Sequence, residues 1–266
     1  MYSLHVTCAP EQVDALSGEF WEAGTCGVRE IDLHDGRVEL IAGFDRNEAR
    51  EDLLRAFGEY SPRWVAEADT DWVAQTRQAW PGRSVARRLF LAAPWCDEPT
   101  PAGRIRIIHN PGLACGTGEH PCTRLALEAL ERVVTRESTV ADIGTGSGML
   151  AIAALRLGAK FAYGADPDEE ALQAARQNFE RNQIPGALAA GSADCLRNES
   201  ADVVVANISA SVLLTISDDL LRIVTPDGKL ILTGFQEPEA NIIARVFPPE
   251  LTLSEDGWTC FISRAS

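Results

Sequence analysis

The sequence predicts an α/β protein: a doubly wound parallel sheet preceded by a small ferredoxin-like α+β domain. Three observations carry that expectation. The opening seventy residues read β-α-β-β-α-β. From Thr139 onward, apolar strand runs alternate with amphipathic helices. Between the first of those strands and its helix lies a glycine-rich turn, Gly144-Thr145-Gly146-Ser147-Gly148.

The elements follow in order. "YSLHVTC" alternates as a strand does, and "PEQVDALSGEFWEAG" spaces Val13, Leu16, Phe20 and Trp21 as a helix does, with Gly24 to end it. "VREIDLHD" and "RVELIAGF" flank Asp35-Gly36, a hairpin signal. "NEAREDLLRAFGEY" gathers Leu53, Leu54 and Phe57 on one helical face, and "RWVAEA" closes the set as a strand. This is the split βαβ order. It holds no catalytic constellation, so residues 1–70 are read as a substrate-recognition domain. Residues 71–85 are read as a linker, with "DWVAQTRQAW" a connecting helix stopped by Pro81-Gly82. The catalytic domain then spans 86–266.

Within it, "RRLFLAAPW" and "GRIRIIHN" are strands around a proline-rich loop, and "TRLALEALERVV" is an amphipathic helix. "TVADIG", "KFAYGAD", "ALAAG", "ADVVVANI" and "GKLILTGF" are strands. They alternate with helices at "SGMLAIAALRLG", "DEEALQAARQNFERNQ", "ASVLLTISDDLLRIV" and "PEANIIARVF", and "LTLSEDGWTCFIS" closes as a hairpin. Such sheets take ligands at the carboxyl ends of their strands, where strand order reverses.

Composition narrows the function. The 266 residues are 45% hydrophobic and 24% charged, an ordinary globular balance. Seven cysteines without a CxxC pair argue against a disulfide framework or a metal site, and fit reduced thiols in a cytosol. No signal peptide is evident, and no apolar run reaches membrane-helix length. A cytoplasmic location and no membrane partner are expected. The net charge of −15 repels phosphate backbones, so direct nucleic-acid binding is not expected and a basic protein is the sensible partner. The one basic cluster, "RQAWPGRSVARRLF", reads as a solvated linker or edge strand.

The turn carries the chemistry. Glycine allows a tight turn and close approach of a ligand, and the helix start adds free N–H groups. Asp166, at the next strand end and eighteen residues past Gly148, suits a ribose with free hydroxyls. A helix cap is its competing role, which Asp168 can fill instead. The spacing is GxGxG rather than the dinucleotide GxGxxG, and no GxxxxGK[ST] occurs. "DIGTGSG" followed by "GAD" therefore resembles the first motif and acidic position of class I methyltransferases, a Rossmann-like fold that uses S-adenosyl-L-methionine.

A second glycine triplet lies in "PGLACGTGEHPCT", Pro111 to Thr123. That stretch is similar to the signature PGLAFGTGTHPTT of the ribosomal protein L11 methyltransferase family (PrmA-type), and the spacing of 21 residues from Thr123 to Gly144 fits as well. The resemblance is strongest from Pro111 to Gly234, and the N-terminal pattern matches the family's substrate-binding domain. It implies cofactor contacts at Thr123, Gly144, Gly146, Asp166 and Asn207, with Asp194 near the adenine amino group. It implies that Asn207 is also the catalytic residue, beside the methyl group. The activity implied is methylation of amino groups, on lysine side chains or an N-terminal amine, of a large-subunit ribosomal protein, L11, by a monomeric enzyme.

The chain departs from the signature at Cys115, where an aromatic wall is lost, at Glu119, which adds a negative charge, and at Cys122. Neither thiol has an activating histidine in a defined arrangement, and His120 reads first as a hydrogen-bonded loop residue. Three other readings stand beside this one: a same-fold enzyme acting on another protein or a small molecule, a nicotinamide-dependent oxidoreductase, and a non-catalytic binding module.

Overall fold

A computed structural model describes residues 2–25, 27–33, 35–44, 50–66, 81–110 and 120–265. The reading of 71–80 as a helix, most of the signature stretch (Pro111 to Glu119) and Cys26 lie outside the described residues. The chain divides into two compact units, Met1–Gln75 and Thr76–Ser266.

The first unit contains β1 (Tyr2–Cys8), α1 (Val13–Glu22), β2 (Gly27–Asp32), β3 (Val38–Phe44), α2 (Arg50–Ala56) and β4 (Arg63–Ala66). Its sheet has the antiparallel order β2-β3-β1-β4, the ferredoxin-like arrangement. Alternation in β1 and β3 sends Leu4, Val6, Val38, Leu40 and Phe44 to one face. There they pack against Leu16 and Phe20 of α1 and Leu53 and Phe57 near α2. The Phe20 and Phe57 rings lie 4.6 Å apart.

The second unit opens with a three-stranded sheet: β5 (Arg83–Val85) antiparallel to β6 (Leu89–Ala92), and β6 parallel to β7 (Ile105–Ile108). Within the basic cluster, Arg83–Val85 thus forms an edge strand, while the cluster's end, Leu89-Phe90, belongs to the central strand β6. The main sheet comprises β8 (Thr139–Ile143), β9 (Phe161–Asp166), β10 (Ala187–Ala190), β11 (Ala201–Asn207), β12 (Val224–Gln236), β13 (Pro249–Glu255) and β14 (Trp258–Arg264). Their order is β10-β9-β8-β11-β12-β14-β13. The pairs from β10 to β12 are parallel, whereas β14 runs antiparallel to its neighbours. Order reverses between β8 and β11.

Helices cover both faces, as the near-continuous apolar strands require. Val140, Val203, Val205 and Ile231 face α3 (Pro121–Val133) and α4 (Met149–Leu157). Ala141, Ile143, Val204, Ala206 and Leu232 face α6 (Ala210–Thr215), α7 (Ser217–Ile223) and α8 (Glu237–Val246). Between α4 and these, α5 (Glu169–Arg181) follows β9.

One helix of the sequence reading is divided. "ASVLLTISDDLLRIV" forms α6 and α7, with Ile216 at φ −101°, ψ 17° between them. The Thr215 hydroxyl donates to Ser211 O at 2.8 Å and the Ser217 hydroxyl to Leu214 O at 2.9 Å. Hydroxyls that bond the preceding turn compete with the helical ladder, and apolar periodicity does not register this. Among the described residues no helix is long and apolar enough to cross a membrane.

Candidate active site

The glycine turn sits at the point where the sheet order reverses. Gly144 has φ +70°, and a Cβ there would lie 2.5 Å from Ile208 Cγ2, so both the conformation and the space select glycine. Asp142, 1% exposed, braces the turn from below: its Oδ2 accepts from Thr145 Oγ1 at 2.7 Å and from Ala151 N at 3.1 Å. Among the described residues its Oδ1 is buried without a hydrogen-bond partner. Burial pushes this carboxyl up to about 7, the nearby Asp166 adding to the rise and its two hydrogen bonds opposing it.

Asp166 ends β9 and turns its carboxylate into the same place. Oδ2 accepts from Gly146 N at 2.9 Å, and Oδ1 from Asp168 N at 3.0 Å. Capping of α5 falls to Asp168, which accepts from Glu170 N at 2.9 Å. Asp166 is thereby left to the cleft. That cleft, of about 620 Å³, is lined by Gly144, Gly146, Asp166 and Asn207 together with Ile208, Val212 and Ser192. Its charged described residues are Asp166, Asp168 and Glu170, all carboxylates.

Across from the turn, Asn207 ends β11, and its Nδ2 donates to Thr123 Oγ1 at 3.3 Å. Two residues singled out independently in the sequence, 84 positions apart, are in direct contact. Thr123 is 3% exposed and belongs to the first turn of α3. Asp194 stands apart from them. It lies in a short turn after β10, where its carboxylate accepts from Ser192 N at 3.2 Å, and Ser192 rather than Asp194 lines the cleft.

One expectation is corrected here. Cys122 does have a histidine in a defined arrangement: His120 Nδ1 lies 2.7 Å from its Sγ and also accepts from Cys122 N at 3.4 Å. Nδ1 thus accepts from the backbone as well as meeting the thiol. His120 therefore caps α3, with its ring edge-on to Trp258 at 4.4 Å. Burial raises the thiol of Cys122 above its usual range, hydrogen bonding with Asn207 and Thr123 opposing the rise, and so keeps it protonated. The pair secures the start of α3 and supplies no thiolate. Cys115 and Glu119 lie outside the described residues.

The chain matches the family described as "Ribosomal protein L11 methyltransferase (PrmA)" over residues 2–266. The chain belongs to that family. A ribosomal protein L11 methyltransferase of Dechloromonas aromatica is 42% identical over 205 residues, 76% of this chain and 68% of the relative. One from Azotobacter vinelandii is 33% identical over 280 residues, covering 96% of each. The crystal structure of a ribosomal protein L11 methylase from Lactobacillus delbrueckii subsp. bulgaricus superposes with a TM-score of 0.65 at 32% identity, over 70% of this chain and all of that one. The fold of this PrmA-family chain is accordingly that of the class I methyltransferases.

Sequence reasoning passed over three residues that support the site. Asp142 stands inside the quoted motif, and its place at a strand end two residues before the first glycine was the available signal. Arg222 donates to the carbonyls of Leu196, Ala193 and Asp194 at 2.8, 3.0 and 3.4 Å, holding the turn that carries Asp194. Asn178 contacts the glycine turn itself through Ser147 O at 3.0 Å. Neither Arg222 nor Asn178 belongs to a motif, and their partners are remote in sequence.

Proposed function

We propose that this PrmA-family chain transfers methyl groups from S-adenosyl-L-methionine to amino groups, of lysine side chains or an N-terminus, on the basic large-subunit ribosomal protein L11. One observation carries the reading: the glycine turn and Asp166 face Asn207 across a single cleft at the sheet's reversal point. The cleft suits this cofactor. Each Asp166 oxygen accepts one backbone N–H, so each keeps a lone pair for a ribose hydroxyl. Three carboxylates with no lysine or arginine among the described lining residues repel a nucleotide phosphate and tolerate a cationic ligand. That also weighs against a nicotinamide dinucleotide.

When bound, S-adenosylmethionine supplies an electrophilic methyl group on a sulfonium. The chain's share is alignment. Asp166 holds the ribose end, with Gly144 and Gly146 giving close backbone approach. Asp194 stands on the adenine side, and Thr123 serves the methionine end through its bond to Asn207. Asn207, its Nδ2 held by Thr123, turns its Oδ1 to accept from the incoming amine and orient the lone pair. A lysine near its ordinary pKa of about 10.4 must first shed a proton, and an apolar approach favours the neutral form. Val212, 44% exposed at the cleft edge, contributes apolar surface there.

The first compact unit, with its own core and, among its described residues, no site of this kind, takes the part of substrate recognition. We place the enzyme in the cytoplasm as a monomer.

The test is incubation of the purified enzyme with labelled S-adenosylmethionine and a set of purified large-subunit ribosomal proteins, read by mass spectrometry. Methyl groups on amines of L11 are the expected result. Labelling confined to another protein, or none on L11 by an enzyme that binds the cofactor, overturns the substrate assignment.

A further inference from the structure

Two asparagines in "QNFERNQ", Asn178 and Asn182, are four residues apart and share one side of the chain at the C-terminal end of α5. They are 2% and 1% exposed. Asparagine is a poor helix former and costly to bury unpaired, so two of them facing inward call for partners. Asn182 finds its partners on the last residue of β7. Its Oδ1 accepts from Ile108 N at 2.9 Å and its Nδ2 donates to Ile108 O at 2.6 Å. β7 lies at the edge of its sheet, and the amide fills the place of a missing strand neighbour.

Asn178 does something different with the same chemistry. Its Nδ2 donates to Ser147 O, in the glycine turn, at 3.0 Å. Its Oδ1 accepts from Asn110 N at 3.3 Å and from Arg181 at 3.0 Å. Nδ2 also approaches Nδ1 of His109, a buried ring that desolvation pushes down to about 4 and so keeps neutral. One carboxamide therefore spans 31 residues to the turn and 68 to Asn110, the residue from which the chain enters the signature stretch at Pro111.

We infer that Asn178 is a positioning residue for the methyl donor, setting the Ser147 carbonyl of the glycine turn against the backbone at Asn110. It touches no ligand and acts through the turn that does. The inference rests on the S-adenosylmethionine reading above. Asn182 supplies the internal control, because it is equally buried at the end of the same helix and bonds Ile108, two residues before Asn110, without reaching the turn.

Asn178→Asp keeps the shape and the acceptor but sets an oxygen against Ser147 O. Asn182→Asp makes the same exchange against Ile108 O. Titration calorimetry with S-adenosylmethionine, circular-dichroism melting and steady-state kinetics are run on both variants and on the unaltered enzyme. Both variants should melt lower. Asn178→Asp should weaken S-adenosylmethionine binding about tenfold or more and raise its KM in step, with kcat at saturation within about twofold. Asn182→Asp should leave the affinity within about twofold. If Asn178→Asp does not fold, Asn178→Ser, too short to span both contacts, takes its place with the same expectation. Unchanged affinity in the Asn178 variant, or equal losses at both asparagines, overturns the inference. Failure of the unaltered enzyme to bind S-adenosylmethionine would instead overturn the reading beneath it.

Discussion

The two walls of the cleft are built on different scales. On the glycine side, hydrogen bonds join residues 3, 9 and 20 apart: Thr145 and Ala151 to Asp142, and Gly146 to Asp166. On the other side, Thr123 and Asn207 meet across 84 residues through a bond of 3.3 Å, with the Cys122 thiol hydrogen-bonded beside them. The first wall is a local network whose members order one another. The second is assembled by the sheet, which brings the end of β11 next to the start of α3. A locally braced wall suits gripping a ligand. A wall held by a long side-chain bond between remote residues has little bracing of its own, so its substitutions should show in alignment and turnover.

The largest effect should come from the carboxyl beneath the glycine wall. Folding raises Asp142 from 3.8 to about 7. Between those values the folded chain keeps a proton that the unfolded chain has released, so unfolding releases it and stability falls as pH rises through the window. At about 1.4 kcal/mol per pH unit, the full window is worth about 4 kcal/mol. His109 works in the opposite sense. Lowered from 6.5 to about 4, it makes stability rise with pH over its own window. Asp142→Asn cannot ionise, and it leaves His109 in place. The difference in melting temperature between the unaltered protein and the variant should therefore shift steadily against the unaltered protein from pH 4.5 to 7.5. Parallel melting curves would show that Asp142 is not the titrating group.

The opposite wall should fail in turnover. Asn207→Ala is expected to lower kcat about 100-fold, with S-adenosylmethionine affinity within about fivefold, because misalignment is charged to the transition state. Methylation at the normal rate would remove Asn207 from the chemistry. Asp166→Ala should reverse the pattern. Loss of hydrogen bonds to a charged acceptor weakens binding roughly tenfold to 100-fold, measured by calorimetry, while kcat at saturating cofactor changes little. An unaltered affinity would break the division between the walls.

The same difference in scale explains what could be read in the sequence. The glycine turn, Asp166 at its strand end and Asp168 as a helix cap are legible because their partners lie within a few positions or one βαβ unit. The succession of strands and helices along the chain follows from alternation and length, but the order of the strands within the sheet does not. Asn207 is legible as a strand end, yet its contact with Thr123 is not, since no local pattern measures a distance across 84 residues. The His120–Cys122 contact spans only two residues and was still missed, because it depends on rotamers rather than on spacing. The break at Ile216 and the work of Asn178 and Arg222 escaped for a related reason. Each turns on a polar side chain seeking a backbone partner, and hydrophobic periodicity carries no record of that.

The smallest effect tests whether the second wall is one unit. Thr123→Val keeps the volume and β-branching of a residue only 3% exposed, and removes the hydroxyl that accepts from Asn207. At 3.3 Å that neutral bond is long, and its loss should cost about 1 kcal/mol, near a fivefold fall in kcat. The informative quantity is the double variant. If Thr123 serves turnover by holding Asn207, then with Asn207→Ala already present that service is gone, and Thr123→Val should change kcat by less than about twofold. Full additivity of the two losses would mean that Thr123 meets the donor on its own account. The wall would then meet the donor at two independent contacts, and the Thr123–Asn207 bond would not be what aligns it.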